Sequence, residues 1–289
     1  MPVCYDKIII IIFCDAMFKS ILNKIRHKYS HFKVNHVNIY GIKSPYHFDR
    51  QREQYCINEP DAHTLDHTEI VLYSWNIYKQ KLNAAIDELS YMLNKADIVM
   101  LQEARESETL MSLISSHTFK AIHVVAFKDG HYANGVMTIS KTAPICYSAQ
   151  KYSEPWIRFP KSGLIATYPL SNGQHLMVAN FHAVNFSLGL KDFMQQLRTI
   201  FDILQQHTGP IVLGGDFNTW RKSRYLYVKR LIRELNLKEI QYPIDQRTKV
   251  MGKVLDHIFV RGLHVKEAKT YNISASDHNP IRLKLSCEE

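Results

Sequence analysis

The run IVLGGDFN, Ile211 to Asn218, constrains this chain more than any other stretch. Its apolar triplet, Ile211 to Leu213, reads as the end of a buried strand. Two glycines follow, which let a backbone turn sharply or approach a neighbour closely. Asp216 and Asn218 then set a carboxylate and an amide two positions apart. A strand that ends this way offers polar groups on a rigid support, which is what a chemical site needs.

The pattern recurs. LYSWN ends at Asn76, IVMLQE at Glu103 and LMVANFH at His182; KVLDH carries Asp256, and SDH carries Asp277 and His278. Each has an ordinary explanation alone: an asparagine closes a strand, His182 suits a satisfied core histidine, and Asp277 suits a turn cap. Together, on strands expected to lie side by side, they read as one constellation for metal and acid–base chemistry.

The intervening segments fit a layered fold. EIVLYSWNIY, ADIVMLQE, SGLIATYPL, HLMVANFHAV, PIVLGGD and VLDHIFVRG read as strands, with further strands near 121–127 and 135–140 and a final one entered through SDHNPIRLKL. LNAAIDELSYMLNK, the segment around 110–115, LKDFMQQLRTIFDILQQH and SRYLYVKRLIREL read as helices, the third with Phe193, Leu197, Ile200, Phe201 and Leu204 on one face. Strict βαβ alternation is missing, so the expectation is an α+β or layered α/β sandwich. Neither GxGxxG nor GxxxxGK[ST] occurs, which removes the motif basis for a dinucleotide or P-loop site.

Residues 1–68 read as an extension preceding a domain at 69–289. Its apolar run, Ile8 to Cys14, is seven residues long, against the ~20 of a spanning helix. Length alone leaves a secretory h-region open, but no A-x-A-like site follows. Phe18, Ile21, Leu22 and Ile25 fall on one helical face among lysines and an arginine. That describes a basic amphipathic helix within residues 1–30, either on a membrane surface or docked on the domain; a start at Met17 is a third reading. Residues 30–68 read as loop-like. The five cysteines, an odd number and widely spaced, argue against a disulfide framework and suit a reducing, cytoplasmic location.

The ordered motifs WN, QE, H, GDFN, LD and SDH resemble the endonuclease/exonuclease/phosphatase superfamily, the DNase I-like fold, over residues 69 to 286. WNIYKQ, FHAVNFSLG, GDFNTW and SDHNP look like its bacterial YafD-like branch. The resemblance implies a four-layered sandwich, two packed mixed β-sheets flanked by helices. It also implies Mg²⁺, or Mn²⁺ in its place, held by Asn76, Glu103 and Asp277. Asp216 is then the residue that orients and deprotonates water, and Asn218 holds the water or a phosphate oxygen. His278 is the charged phosphate contact, with Asp256 on its other ring nitrogen. His182 donates to the phosphate, which argues against an abasic-site enzyme. Arg105, Tyr132 and Asn185 are candidate substrate contacts, although Tyr132 is one residue out of the family's spacing.

The formal net charge of +9 favours phosphate-bearing partners. Arg221, Lys222, Arg224, Lys229, Arg230 and Arg233 follow the GDFN motif and point to nucleic acid. The leading expectation is a Mg²⁺-dependent nuclease acting on DNA or RNA. Hydrolysis of lipid headgroups or inositol phosphates, aided by membrane contact through residues 1–30, is the alternative. A non-catalytic binding module is the third.

Overall fold

Two runs, Ile70–Asn76 and Ile211–Asp216, are buried along their whole length, so both faces of each need cover. The computed structural model describes residues 37–50, 53–58, 62–153, 160–185 and 189–288. The chain divides into Met1–Lys33 and Val34–Glu289, and every described residue belongs to the second unit. The amphipathic helix read within residues 1–30 lies outside the described residues.

The first strands are β1 (Val37–Tyr40), β2 (Tyr46–Asp49), β3 (Gln54–Ile57), β4 (Ile70–Asn76), β5 (Ile98–Arg105) and β6 (Lys120–Asp129). Next come β7 (Tyr132–Ser140), β8 (Cys146–Tyr152), β9 (Lys161–Pro169), β10 (His175–His182), β11 (Ile211–Asp216) and β12 (Lys238–Glu239). The last are β13 (Lys249–Val250), β14 (Lys253–Val254), β15 (Asp256–Arg261), β16 (Leu263–Thr270) and β17 (Ile281–Cys287). The helices are α1 (Ala85–Leu93), α2 (Glu108–Ser116), α3 (Lys191–Leu204) and α4 (Lys222–Glu234).

One sheet runs β1-β6-β7-β5-β4-β17-β16 and the other β12-β15-β11-β10-β9-β8-β3-β2. Each is mixed: β4 and β5 are parallel, as are β10 and β11, within otherwise antiparallel neighbours. Period-two alternation sorts the side chains into layers. Ile70 and Leu72 of β4 meet Val178, Val212 and Ile258 between the sheets. Val71, Tyr73 and Trp75 face the other way, onto Leu89 and Leu93 of α1 and Leu110 and Ile114 of α2. Across the second sheet, Phe193, Leu197, Ile200 and Leu204 of α3 and Val228 and Leu231 of α4 cover Ile165, Ala179, Phe181 and Leu213. The result is the α+β sandwich of four layers. Each buried aliphatic or phenyl side chain contributes about 1.5–3 kcal/mol, and truncating Leu197 to alanine removes roughly 2–5 kcal/mol.

Residues 30–68 are not loop-like throughout. Strand β1 pairs with β6 at the edge of the first sheet, and the β2–β3 hairpin extends the second through β8. The two-sheet unit therefore starts before residue 69. These strands are four residues long and only partly buried, so no apolar run announces them; aromatic packing of Tyr46 and Tyr55 on Tyr147 holds the hairpin down. The cysteine expectation also needs correction. Cys56 and Cys146 oppose each other across β3 and β8 and are joined as a disulfide.

Candidate active site

The two parallel strand pairs end at the same rim. Asn76 of β4 lies opposite Gln102 of β5, and His182 of β10 lies opposite Asp216 of β11. Asp216 in turn opposes Asp256, the first residue of β15. Gln102 and Asn180 tie the sheets together just below, with Gln102 Nε2 donating to Asn180 Oδ1 at 2.8 Å.

The two glycines before Asp216 have separate jobs. Gly215 has φ +136°, and a Cβ there would lie 2.0 Å from the carbonyl oxygen of Phe181, so it permits the close approach of β10. At Gly214 a Cβ would meet the terminal methyl of Met100 from the opposite sheet at 2.7 Å.

Asp216 is 2% exposed. Its Oδ1 accepts from the backbone N–H of Asn218 at 2.9 Å, and its Oδ2 accepts from Asn76 Nδ2 at 3.1 Å. His182 Nε2 and His278 Nε2 lie 3.4 and 3.9 Å from that same Oδ2. Asn218, at φ 49°, anchors its amide on the Ala183 carbonyl. His278 Nδ1 sits 2.8 Å from Asp256 Oδ2. The SDH segment is pinned to β4 from two sides: Ser276 Oγ donates to the Asn76 carbonyl, and Trp75 Nε1 donates to that of His278. Asp277 is exposed, and its carboxylate lies 3.3 Å from the Ser276 hydroxyl oxygen.

Glu103 reaches the same rim by an irregularity. The β5–β7 register shifts between Leu101 and Ala104, and Glu103 takes φ 52°, a conformation that costs a non-glycine residue about 1–3 kcal/mol. Its carboxylate meets Lys79 at 3.1 Å, Lys161 at 3.7 Å and His182 at 4.0 Å. Lys161 and His182 belong to the other sheet, so the bulge carries Glu103 across the gap.

Burial and charge set opposed states on these groups. Burial pushes the Asp216 carboxyl up to about 6, with the charge of His278 pulling the other way and that of Asp256 adding to the rise. Burial alone would lower His278; the carboxylates of Asp256, Asp216 and Asp277 outweigh it and push the imidazole up to about 10, so it is an imidazolium at neutral pH. His182 is held well below the usual histidine range by burial and then by the ammonium of Lys161, so it is neutral.

The donors fit a divalent cation. Ligand atoms of Asp216, Asp256 and His278 lie within 4.8 Å of one another, all buried. Within that triad the imidazolium of His278 has no lone pair to offer, so the carboxylates are the better donors to a hard ion. Glu103, with ammonium groups against both of its oxygens, is a carboxylate already placed to balance positive charge.

The other expected residues fall nearby or elsewhere. The Arg105 guanidinium stacks 3.7 Å from the Tyr132 ring centroid, which joins these two at the end of β5. Asn185 is drawn into its own loop: Oδ1 accepts from Trp220 Nε1 at 2.9 Å, and its carbonyl accepts from Arg224. Arg224 is a correction. It is buried and also donates to the carbonyls of Val184 and Asn218, so it braces the loops after β10 and β11. Lys229 and Arg230 pair with Glu239 and Glu234. The basic helix therefore offers less free positive charge than its sequence suggests. Two participants went unread: Lys79, which no motif marks, and His257, buried between Thr219 Oγ1 at 2.7 Å and Glu239 Oε1 at 3.1 Å beneath the GDFNT turn.

The Endonuclease/Exonuclease/phosphatase family profile matches residues 73–278, from β4 to His278. This chain belongs to that family. A UPF0294 protein of Vibrio parahaemolyticus serotype O3:K6 (strain RIMD 2210633) is 39% identical over 236 residues, covering 81% of this chain and 84% of that protein. Among solved structures, ANGEL2, a 2',3'-cyclic phosphatase, superposes with a TM-score of 0.61 at 15% identity, covering 75% of this chain and 95% of its own. The Bacteroides thetaiotaomicron mannosyl-6-phosphatase does so with 0.56 at 16%, covering 75% and 99%. Likeness at that identity is a likeness of fold. Members of the family are phosphoester hydrolases of the nuclease or phosphatase type.

Proposed function

We propose that the protein is a Mg²⁺-dependent phosphodiester hydrolase acting on nucleic acid, with Mn²⁺ able to replace Mg²⁺. The observation that carries the reading is the convergence of Asp216, Asp256 and His278 with Asn76, Glu103 and His182 from both sheets. Glu103 and Asp216, with Asn76 and Asp277 beside them, would hold the ion, which would supply positive charge to offset that on the phosphoryl oxygens and the leaving group.

The protein's own residues do the rest. Asp216 is fixed by Asn76 and the Asn218 N–H, so it can orient a water and take its proton. A carboxyl titrating near 6 is better matched to that task at neutral pH than an ordinary aspartate. His278, charged through Asp256, presents Nε2–H to the phosphate as charge builds there. Arg105 and Tyr132, locked together, form a cationic aromatic face two residues beyond Glu103 that suits a phosphate and an adjoining base. The net charge of +9 suits a polyanion. The name of ANGEL2 includes cyclic phosphates and that of the Bacteroides thetaiotaomicron protein a sugar phosphate, so the fold accommodates several esters. A panel of duplex DNA, single-stranded DNA, RNA, sphingomyelin and inositol phosphates, each with and without Mg²⁺, tests the reading. Turnover confined to nucleic acids supports it, and turnover confined to the others contradicts it.

One observation favours lipid headgroups as a second reading. The β13–β14 hairpin carries Met251, 85% exposed, and Val250 at its tip, with Lys249 and Lys253 beside them. Its base is tied to the site: Thr248 Oγ1 donates to the Asp277 carbonyl, and Arg247 donates to that of Asp256. An apolar tip among lysines suits an anionic bilayer. Sedimentation with phosphatidylserine vesicles, lost in Met251→Asp, supports this reading; no sedimentation of the unaltered protein removes it.

A further inference from the structure

Glu103 has two carboxylate oxygens, and an ammonium group faces each. Lys79 Nζ lies 3.1 Å from Oε2 and Lys161 Nζ lies 3.7 Å from Oε1. Lys79 alone balances the carboxylate at the shorter distance, so Lys161 brings a second charge that Glu103 does not need. The nearer partner of Lys161 is a histidine nitrogen, His182 Nε2 at 3.0 Å. A lysine ammonium only donates, so Nε2 accepts from it. In that arrangement His182 cannot donate from Nε2 to a phosphate.

The backbone of Lys161 is fixed. It opens β9 opposite Tyr152 of β8, and only its four-carbon stem is free to swing. The side chain is 17% exposed, an unusual depth for a lysine. A divalent ion arriving at Glu103 would sit within a few ångströms of this ammonium and repel it.

We propose that Lys161 is an exchangeable cation of the site and a direct contact of the substrate phosphate. In the ion-free protein it occupies Glu103 and His182. When the ion binds, Lys161 moves onto the non-bridging phosphate oxygens and leaves His182 Nε2 free to face them too. Lys79 stays the local counter-charge of Glu103 and does not touch substrate. This rests on the phosphoester reading and names the residue that grips the phosphate within it.

Calorimetry on the full chain tests it, with Mn²⁺ as the ion and inorganic phosphate as the probe for the ion-loaded protein. Lys161→Met and Lys161→Gln bind Mn²⁺ about threefold to tenfold tighter, because a competing charge is gone. Both bind phosphate about tenfold more weakly, because a charge-assisted hydrogen bond is gone. Lys79→Met binds Mn²⁺ tighter and phosphate as the unaltered protein does. Unchanged phosphate affinity in both Lys161 variants, with Mn²⁺ binding intact, overturns the assignment and leaves the phosphoester reading standing. Absence of Mn²⁺ binding by the unaltered protein overturns both.

Discussion

His278 Nδ1 lies 2.8 Å from Asp256 Oδ2, and this contact fixes the charge of a buried imidazole. Asp256→Asn removes it. His278 then titrates far below the value of about 10 that it has beside Asp256, measurable by NMR of the imidazole protons in ion-free protein. The folded value lies above the unfolded one, so the contribution is whole below about pH 6.5 and is lost as pH rises through about 10. Asp256→Asn also lowers hydrolysis by about 10²–10⁴. An unmoved His278 titration would show that Asp256 does not hold its charge.

Gly215→Ala and Gly214→Ala separate backbone from side-chain crowding. At Gly215 the added methyl meets the Phe181 carbonyl at a φ of +136°, and neither can yield without parting β10 from β11. At Gly214 it meets the flexible end of Met100. Denaturant unfolding should find Gly215→Ala destabilised by more than about 3 kcal/mol and Gly214→Ala by about 1–3 kcal/mol. Equal losses would contradict this division.

The Cys56–Cys146 bond closes a sequence separation of 90 residues and fastens the β2–β3 hairpin to β8. Alkylation of the folded protein without reductant should leave both cysteines unlabelled, and reduction should expose them. Cys56→Ser should lower stability by about 2–5 kcal/mol. Full labelling of both residues in protein purified under air would refute the bond.

Glu239 carries an acid-stability prediction. Burial would raise its carboxyl, but His257, Tyr225 and Lys229 outweigh burial and hold it down at about 2. A depressed folded value means stability that is present above the unfolded pKa, about 4.5, and lost as pH falls through about 2. Glu239→Gln should cost on the order of 2 kcal/mol at pH 7 and progressively less towards pH 2, read from urea midpoints. A loss independent of pH would assign the effect to packing instead.

The legible parts of this protein were those with a period or a motif. Strands β4, β5, β10 and β11 are continuous apolar runs, and α3 shows its buried face at helical spacing, so the layers could be read directly. The polar residues at the strand ends stood out because each interrupts such a run. The short strands β1, β2 and β3 did not, since partly buried four-residue strands show no apolar run, and β1 and β3 depend on β6 and β8, far along the chain. Cys56 and Cys146 became neighbours through that same unread pairing. Arg224 looked like free surface charge because its acceptors are carbonyls at Val184, Asn185 and Asn218, which composition cannot place. Lys79 was hidden for a related reason: a lysine's role depends on which carboxylate its flexible stem finds.

The role proposed for Asp216 is to work with a divalent ion at the joined ends of the two sheets in breaking a phosphodiester bond. Its most direct test is nicking of supercoiled plasmid by the full chain and by Asp216→Asn, each with Mg²⁺ and with EDTA. Nicking is expected from the unaltered protein in Mg²⁺, none in EDTA, and a rate lower by about 10²–10⁴ in Asp216→Asn. Equal nicking by both proteins, or nicking that persists in EDTA, would contradict it.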